Sequence, residues 1–159
     1  MIKQAIPLRA RQWLKHLVGC PDLTFATLSF SQEGEDLVLR RMLESKKTGF
    51  YVDVGALHPQ RFSNTYLFYQ QGWRGINIEP RPGSKSLFDA LRPRDVNLEL
   101  AVGSTDGALR YYEYDEPALN TFDEAVRRLH AGRGRQPKAT HTVRVKTLGG
   151  ILEAHLPAS

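Results

Sequence analysis

Cysteine is almost missing from this chain: Cys20 stands alone in 159 residues. One thiol cannot close an internal disulfide or build a thiolate metal site, so no metal is expected and a cytoplasmic location is the natural one. Long apolar runs are missing as well. No stretch approaches the roughly 20 residues that a membrane span needs, so no span is expected. The opening residues are basic but lack an apolar core followed by small residues, which argues against secretion. Paired glycines are missing too, since no G-x-G-x-x-G follows a strand-like segment, and that disfavours a dinucleotide site. Acids are missing from two places. Met1 to Gly19 carries Lys3, Arg9, Arg11 and Lys15 with no Asp or Glu, and Arg127 to Lys146 carries seven Lys/Arg, again with no acid. Of 22 basic and 17 acidic residues, the rest of the chain therefore holds 11 and 17. An acidic body with two basic segments argues against a nucleic-acid face across the whole domain. It leaves room for a local anionic partner.

What is present reads as one globular domain. Hydrophobic residues make up 41% and charged residues 25%, a balance that excludes wholesale disorder at a length able to bury a core. Residues 1–29 form a basic helical segment and lead-in, and 30–159 form the domain proper. In the first segment Ile6, Trp13, Leu14, Leu17 and Val18 recur at rough helical spacing, broken by Pro7, which reads as a helix docked on the domain, with a surface helix touching anionic lipid as the competing reading. Ser31 stands as an N-cap before Glu33, Glu35 and Asp36, and Leu37, Val38 and Met42 predict a packing stripe. Phe50 to Gly55 predicts a buried parallel strand. Ser63 to Gln71 predicts a helix stopped by Gly72, Arg74 to Pro80 a second strand, Lys85 to Leu91 a helix, and Val96 to Gly103 a third strand. This β-α-β-α-β rhythm implies an α/β fold with a parallel sheet and right-handed crossovers. Beyond it, Ala108 to Tyr114 and Thr140 to Val145 predict strands, Ala131 to Lys138 a mobile loop, and Leu148 to Leu156 a short helix.

The chemistry gathers at strand ends. Asp53-Val54-Gly55-Ala56 closes the first strand, and in a doubly wound sheet ligands bind outside the carboxyl ends of the strands. Gly55 lets a ligand approach the backbone. Glu79 closes the second strand, where a carboxylate can accept two hydrogen bonds from ribose hydroxyls. The helix that follows Ser63-Asn64-Thr65 can turn free N–H groups toward a carboxylate. One glycine in Gly55-Ala56-Leu57-His58-Pro59-Gln60 suits a nucleoside without a pyrophosphate. Taken singly, Asp53-Val54-Gly55 reads equally as a structural turn.

Several ordered blocks then carry a resemblance. Ser31-Gln32-Glu33-Gly34-Glu35-Asp36, Gly49 to Ala56, His58-Pro59, Ser63-Asn64-Thr65, Gly72 to Pro80, Arg92-Pro93-Arg94-Asp95, Asn97-Leu98 and Ala118 to Phe122 resemble successive blocks of the FkbM methyltransferase family. The resemblance spans roughly Phe30 to Leu156. It implies a Rossmann-like class I methyltransferase fold and transfer of a methyl group from S-adenosyl-L-methionine to a hydroxyl of a sugar or natural product. Carried over, Asp53, Gly55 and Ala56 form the cofactor loop, and Asn64 and Thr65 lie beside the methionine end. Glu79 holds the ribose, and Ala101 and Val102 lie near the adenine. Gln32 and Glu35 match a family motif and are substrate-side candidates, with helix capping as the competing reading. His58 is a candidate general base, with a locally hydrogen-bonded histidine as its competitor. Cys20 reads as a small buried hydrophobe.

The resemblance also implies a departure. The family continues past Thr147-Leu148-Gly149-Gly150-Ile151-Leu152 into a fourth strand with an acidic motif, so this chain is expected to stop after about three parallel strands and a β-rich extension. The first strand is then expected to have an open apolar edge, calling for self-association or a completing partner. A catalytically incomplete fragment or interaction module that keeps part of the crevice is the alternative to an enzyme acting on a glycan or other small acceptor.

Overall fold

The computed structural model describes residues 26–157. The helix expected before Gly19 lies outside the described residues. The elements run α1 (Glu35–Met42), β1 (Phe50–Val54), α2 (Tyr66–Gln70), β2 (Arg74–Ile78), α3 (Ser84–Leu91), β3 (Val96–Leu98), β4 (Ala101–Gly103), β5 (Gly107–Glu113), a 3-10 turn (Pro117–Leu119), α4 (Glu124–Gly132), β6 (Ala139–Thr147) and α5 (Leu148–His155). This is a mixed α/β structure with parallel strands. No helix among the described residues is long and apolar enough to cross a membrane.

One sheet has the order β1-β2-β3, all parallel, with Val52 beside Ile76 and Ile76 beside Val96. The other has the order β4-β6-β5, in which β4 runs parallel to β6 and β5 antiparallel. The expected third strand is therefore two. It leaves the first sheet after Leu98, buries Leu100, and pairs with β6 from Ala101 onward.

Side chains alternate across a strand, so each face of the first sheet has its own chemistry. Ile76 and Ile78 point to the face covered by α5, where they cluster with Leu100 and Ile151. Burying each isoleucine stabilises by about 1.5–3 kcal/mol relative to leaving it in water. The opposite face sets Asp53, Asn77 and Asn97 side by side in register. Gly75, paired with Tyr51, has no room for a side chain, because a Cβ there would overlap the Tyr51 ring. A second cluster, Ala101, Tyr111, Val143 and Val145 with Phe122 packed on it, holds the other sheet together.

Four further expectations need correction. The stripe on α1 is not a packing stripe: Val38 and Met42 are 61% and 74% exposed, and the buried residue of that helix is Asp36. Gly34, not Ser31, is the N-cap, but the Ser31 hydroxyl still accepts the Asp36 N–H of the first turn at 3.3 Å and donates to Asp36 Oδ1 at 2.9 Å, as Ser29 does at 2.6 Å. The first strand is parallel but not buried. Among the described residues β1 has β2 as its only strand neighbour, and Val52 and Val54 are 37% and 52% exposed. Finally, the stretch before β6 contains an unexpected helix, α4, which starts at an Asp123 side chain that accepts from Ala125 and Val126 N–H groups.

Candidate functional site

The parallel register sets Val54 beside Ile78, so the carboxyl ends of β1 and β2 open together. The N–H groups of Gly55 and Ala56 both donate to the Ile78 carbonyl, at 2.8 and 3.1 Å. Gly55 has φ +76°, which side-chain-bearing residues rarely adopt, and open space where a Cβ would lie. The chain then turns through Leu57, itself at φ 54°. Leu57 N–H donates to Glu79 Oε2 at 2.8 Å, and Arg81 N–H donates to Glu79 Oε1 at 3.0 Å. The buried Glu79 carboxylate thus ties the loops after β1 and β2 together. Each of its oxygens keeps a second lone pair.

Asp53 is held from the side. Thr65 Oγ1 donates to Asp53 Oδ2 at 2.7 Å, while Oδ1 has no hydrogen-bond partner among the described residues. Thr65 in turn accepts from Arg92 Nη1 at 3.0 Å. Arg92 is completely buried, and its Nε meets Asp95 Oδ2 at 2.8 Å. Its Nη2 donates to Tyr51 Oη at 2.7 Å, and Tyr51 donates to Asp95. Asp95 also accepts from Gly75 N–H and from Asn77 Nδ2. A buried guanidinium needs such a paired and hydrogen-bonded setting. Burial pushes the Tyr51 hydroxyl well above its usual range, and the Asp95 charge adds to this against the opposing pull of Arg92.

Beside the strand ends lies a cleft of about 580 Å³, bordered by Gln32, His58, Arg61, Phe62, Arg81 and Asp115. The Arg61 guanidinium sits over the Phe62 ring at 4.5 Å. His58 Nδ1 accepts the N–H groups of Gln60 and Arg61, at 3.1 and 3.0 Å. The neutral ring therefore carries its proton on Nε2. Burial first, then the charges of Arg81 and Arg61, hold its pKa below the ordinary value.

The remaining expected residues fall as follows. Asn64 is exposed and its side chain makes no hydrogen bond among the described residues. The start of α2 is not free as expected: Ser63 Oγ accepts the Tyr66 N–H at 3.1 Å. Ala56 is buried below the loop. The side chains of Ala101 and Val102 are taken up by the two hydrophobic clusters, leaving backbone to offer a ligand. Glu35 accepts the Glu33 N–H at 2.9 Å, and backbone hydrogen bonds, its own and that of Glu33, hold its carboxyl below the usual range. Gln32 reaches the cleft; Glu35 does not border it.

Sequence reasoning missed Arg92 and Asp95 as parts of the site, although both stand in a block that carried the resemblance. It also missed Tyr111. Burial, and then the nearby Glu79 charge, pushes that hydroxyl up to about 12. An aromatic strand announces a core, and nothing local in it points to Glu79.

Two carboxylates at adjacent strand ends, one with an unused oxygen beside an open glycine, suit a nucleoside that ends in a cation. The adjoining cleft suits a second, polar molecule. No curated protein and no solved structure matches the chain. The methyltransferase FkbM domain matches residues 53–158, more than half of the chain, and the chain belongs to that family.

Proposed function

We propose that this chain carries the cofactor site of a Rossmann-like class I methyltransferase that O-methylates a hydroxyl of a sugar or natural product. The observation that supports this best is the meeting of Asp53 Oδ1, the open backbone at Gly55 and the Glu79 carboxylate at two neighbouring strand ends. These residues fit S-adenosyl-L-methionine: Asp53 pairs with its ammonium group, Gly55 admits its backbone-facing atoms, and Glu79 takes the ribose hydroxyls on its remaining lone pairs. When bound, the cofactor supplies an electrophilic methyl group. The backbone near Ala101 and Val102 borders the adenine in this reading.

The acceptor lies in the cleft, with Phe62 as an apolar wall and Arg61 and Arg81 favouring an anionic glycan. The basic stretch from Arg127 fits less well, since Arg127 pairs with Glu124 and Lys146 with Asp106. Transfer to oxygen needs alignment and somewhere for the proton to go. With His58 Nδ1 committed to its loop, the Asp115 carboxylate at the cleft is the better proton acceptor. The near absence of cysteine supports a cytoplasmic setting.

A second reading, a binding module without turnover, draws on the edge of β1 that is unpaired among the described residues. In this reading a strand from a second copy or another partner pairs there. Calorimetry with S-adenosylhomocysteine and NAD, followed by a methyl-transfer assay over neutral and anionic hydroxylated sugars, tests both. Tighter binding of NAD would overturn the cofactor assignment. Binding of S-adenosylhomocysteine without turnover on any acceptor would favour the second reading.

A further inference from the structure

We infer that Thr65 is a positioning residue: its hydroxyl relays the orientation of buried Arg92 to Asp53 and leaves Asp53 Oδ1 aimed at the cofactor's ammonium group. The inference rests on the reading that Asp53 binds that group. The geometry has a direction built into it. A guanidinium has donors and no acceptor, so the 3.0 Å contact from Arg92 Nη1 must take a lone pair of Thr65 Oγ1. The single hydroxyl hydrogen then goes to the charged Asp53 Oδ2, 2.7 Å away, in preference to the longer contact with Ser63 Oγ at 3.4 Å. Arg92 itself cannot swing, because Asp95 and Tyr51 hold Nε and Nη2. The carboxylate on β1 is thus clamped at one oxygen by a chain of contacts that begins at Arg92, packed on the same polar face of the sheet.

A residue acting in this way affects one end of the ligand. Thr65→Val keeps the branched shape and removes the donor, and Thr65→Ser keeps the donor. Affinities of both variants for S-adenosylhomocysteine and for 5′-methylthioadenosine, which lacks the amino-acid end, separate the roles. Thr65→Val should bind S-adenosylhomocysteine about tenfold more weakly, the equivalent of one lost hydrogen bond. It should bind 5′-methylthioadenosine as the parent does, and Thr65→Ser should restore the parent behaviour for both. Equal weakening toward both ligands, or no weakening toward S-adenosylhomocysteine, would overturn the relay. Asp53→Asn serves as the reference. If it leaves S-adenosylhomocysteine binding unchanged, the assignment of Asp53 is what fails; if it weakens binding and Thr65→Val does not, only the relay fails.

Discussion

Glu79 Oε2 accepts the Leu57 N–H at 2.8 Å, joining the end of β2 to the loop that leaves β1. One side chain therefore braces the loop, and the proposed ribose contact would give it a second task. Glu79→Ala should weaken S-adenosylhomocysteine binding by about 1–3 kcal/mol, the scale of lost charge-assisted hydrogen bonds. Glu79→Gln keeps an acceptor oxygen and should lose less. Calorimetry on both variants, with thermal denaturation alongside, checks this. Unchanged affinity in a folded Glu79→Ala protein would remove Glu79 from the site.

The loop from Leu57 to Phe62 should depend on pH through His58. Its folded-state pKa lies below the reference value of 6.5, so between the two values the folded chain binds fewer protons than the unfolded one. The contribution to stability is then complete above the reference value and is lost as pH falls through the folded one. Protonating Nδ1 removes the acceptor for Gln60 and Arg61. An NMR titration of the His58 ring should show this low value, and His58→Gln should flatten the matching part of the stability profile. A ring that titrates at or above the reference value would contradict the brace.

Arg92→Ala should destabilise the fold by about 3–5 kcal/mol, because Asp95 would be left charged and buried without its partner. Arg92→Lys should keep the charge but not the fork that reaches Asp95, Tyr51 and Thr65 together. Chemical denaturation of the two variants measures both effects. A loss below about 1 kcal/mol for the alanine variant would be that of a surface ion pair, and would show that the network is not closed in solution.

The edge of β1, which has no strand neighbour other than β2 among the described residues, should mediate association. Val54 points away from the polar face and is half exposed, so Val54→Lys places a charge where a strand would dock. Sedimentation velocity should show less self-association for the variant than for the parent at equal concentration. If both sediment alike as monomers, this edge is not a contact between copies. If both associate alike, the contact lies elsewhere.

The order of strands and helices around β1 and β2 was legible in the sequence because short apolar runs bounded by glycine or proline have few other uses. The place of Asp53, Gly55 and Glu79 at the ends of two neighbouring parallel strands was legible for the same reason. The break of the third strand into β3 and β4 was not. Val96 to Gly103 is a continuous strand-like run, and only pairing with β6, some forty residues later, decides where it changes sheet. The solvent-facing Val38 and Met42 were misread because spacing reports amphipathicity without saying which face finds a partner. Arg92 shows the limit most clearly. On the sequence it is one arginine between a helix and a proline. In the fold it lies beneath the sheet, where Tyr51, Thr65 and Asp95, distant in sequence on one side and close on the other, converge on one guanidinium. Local propensity determined the elements and the strand-end carboxylates; long-range pairing decided what surrounds them, because a buried charge is tolerated only where partners from several elements meet.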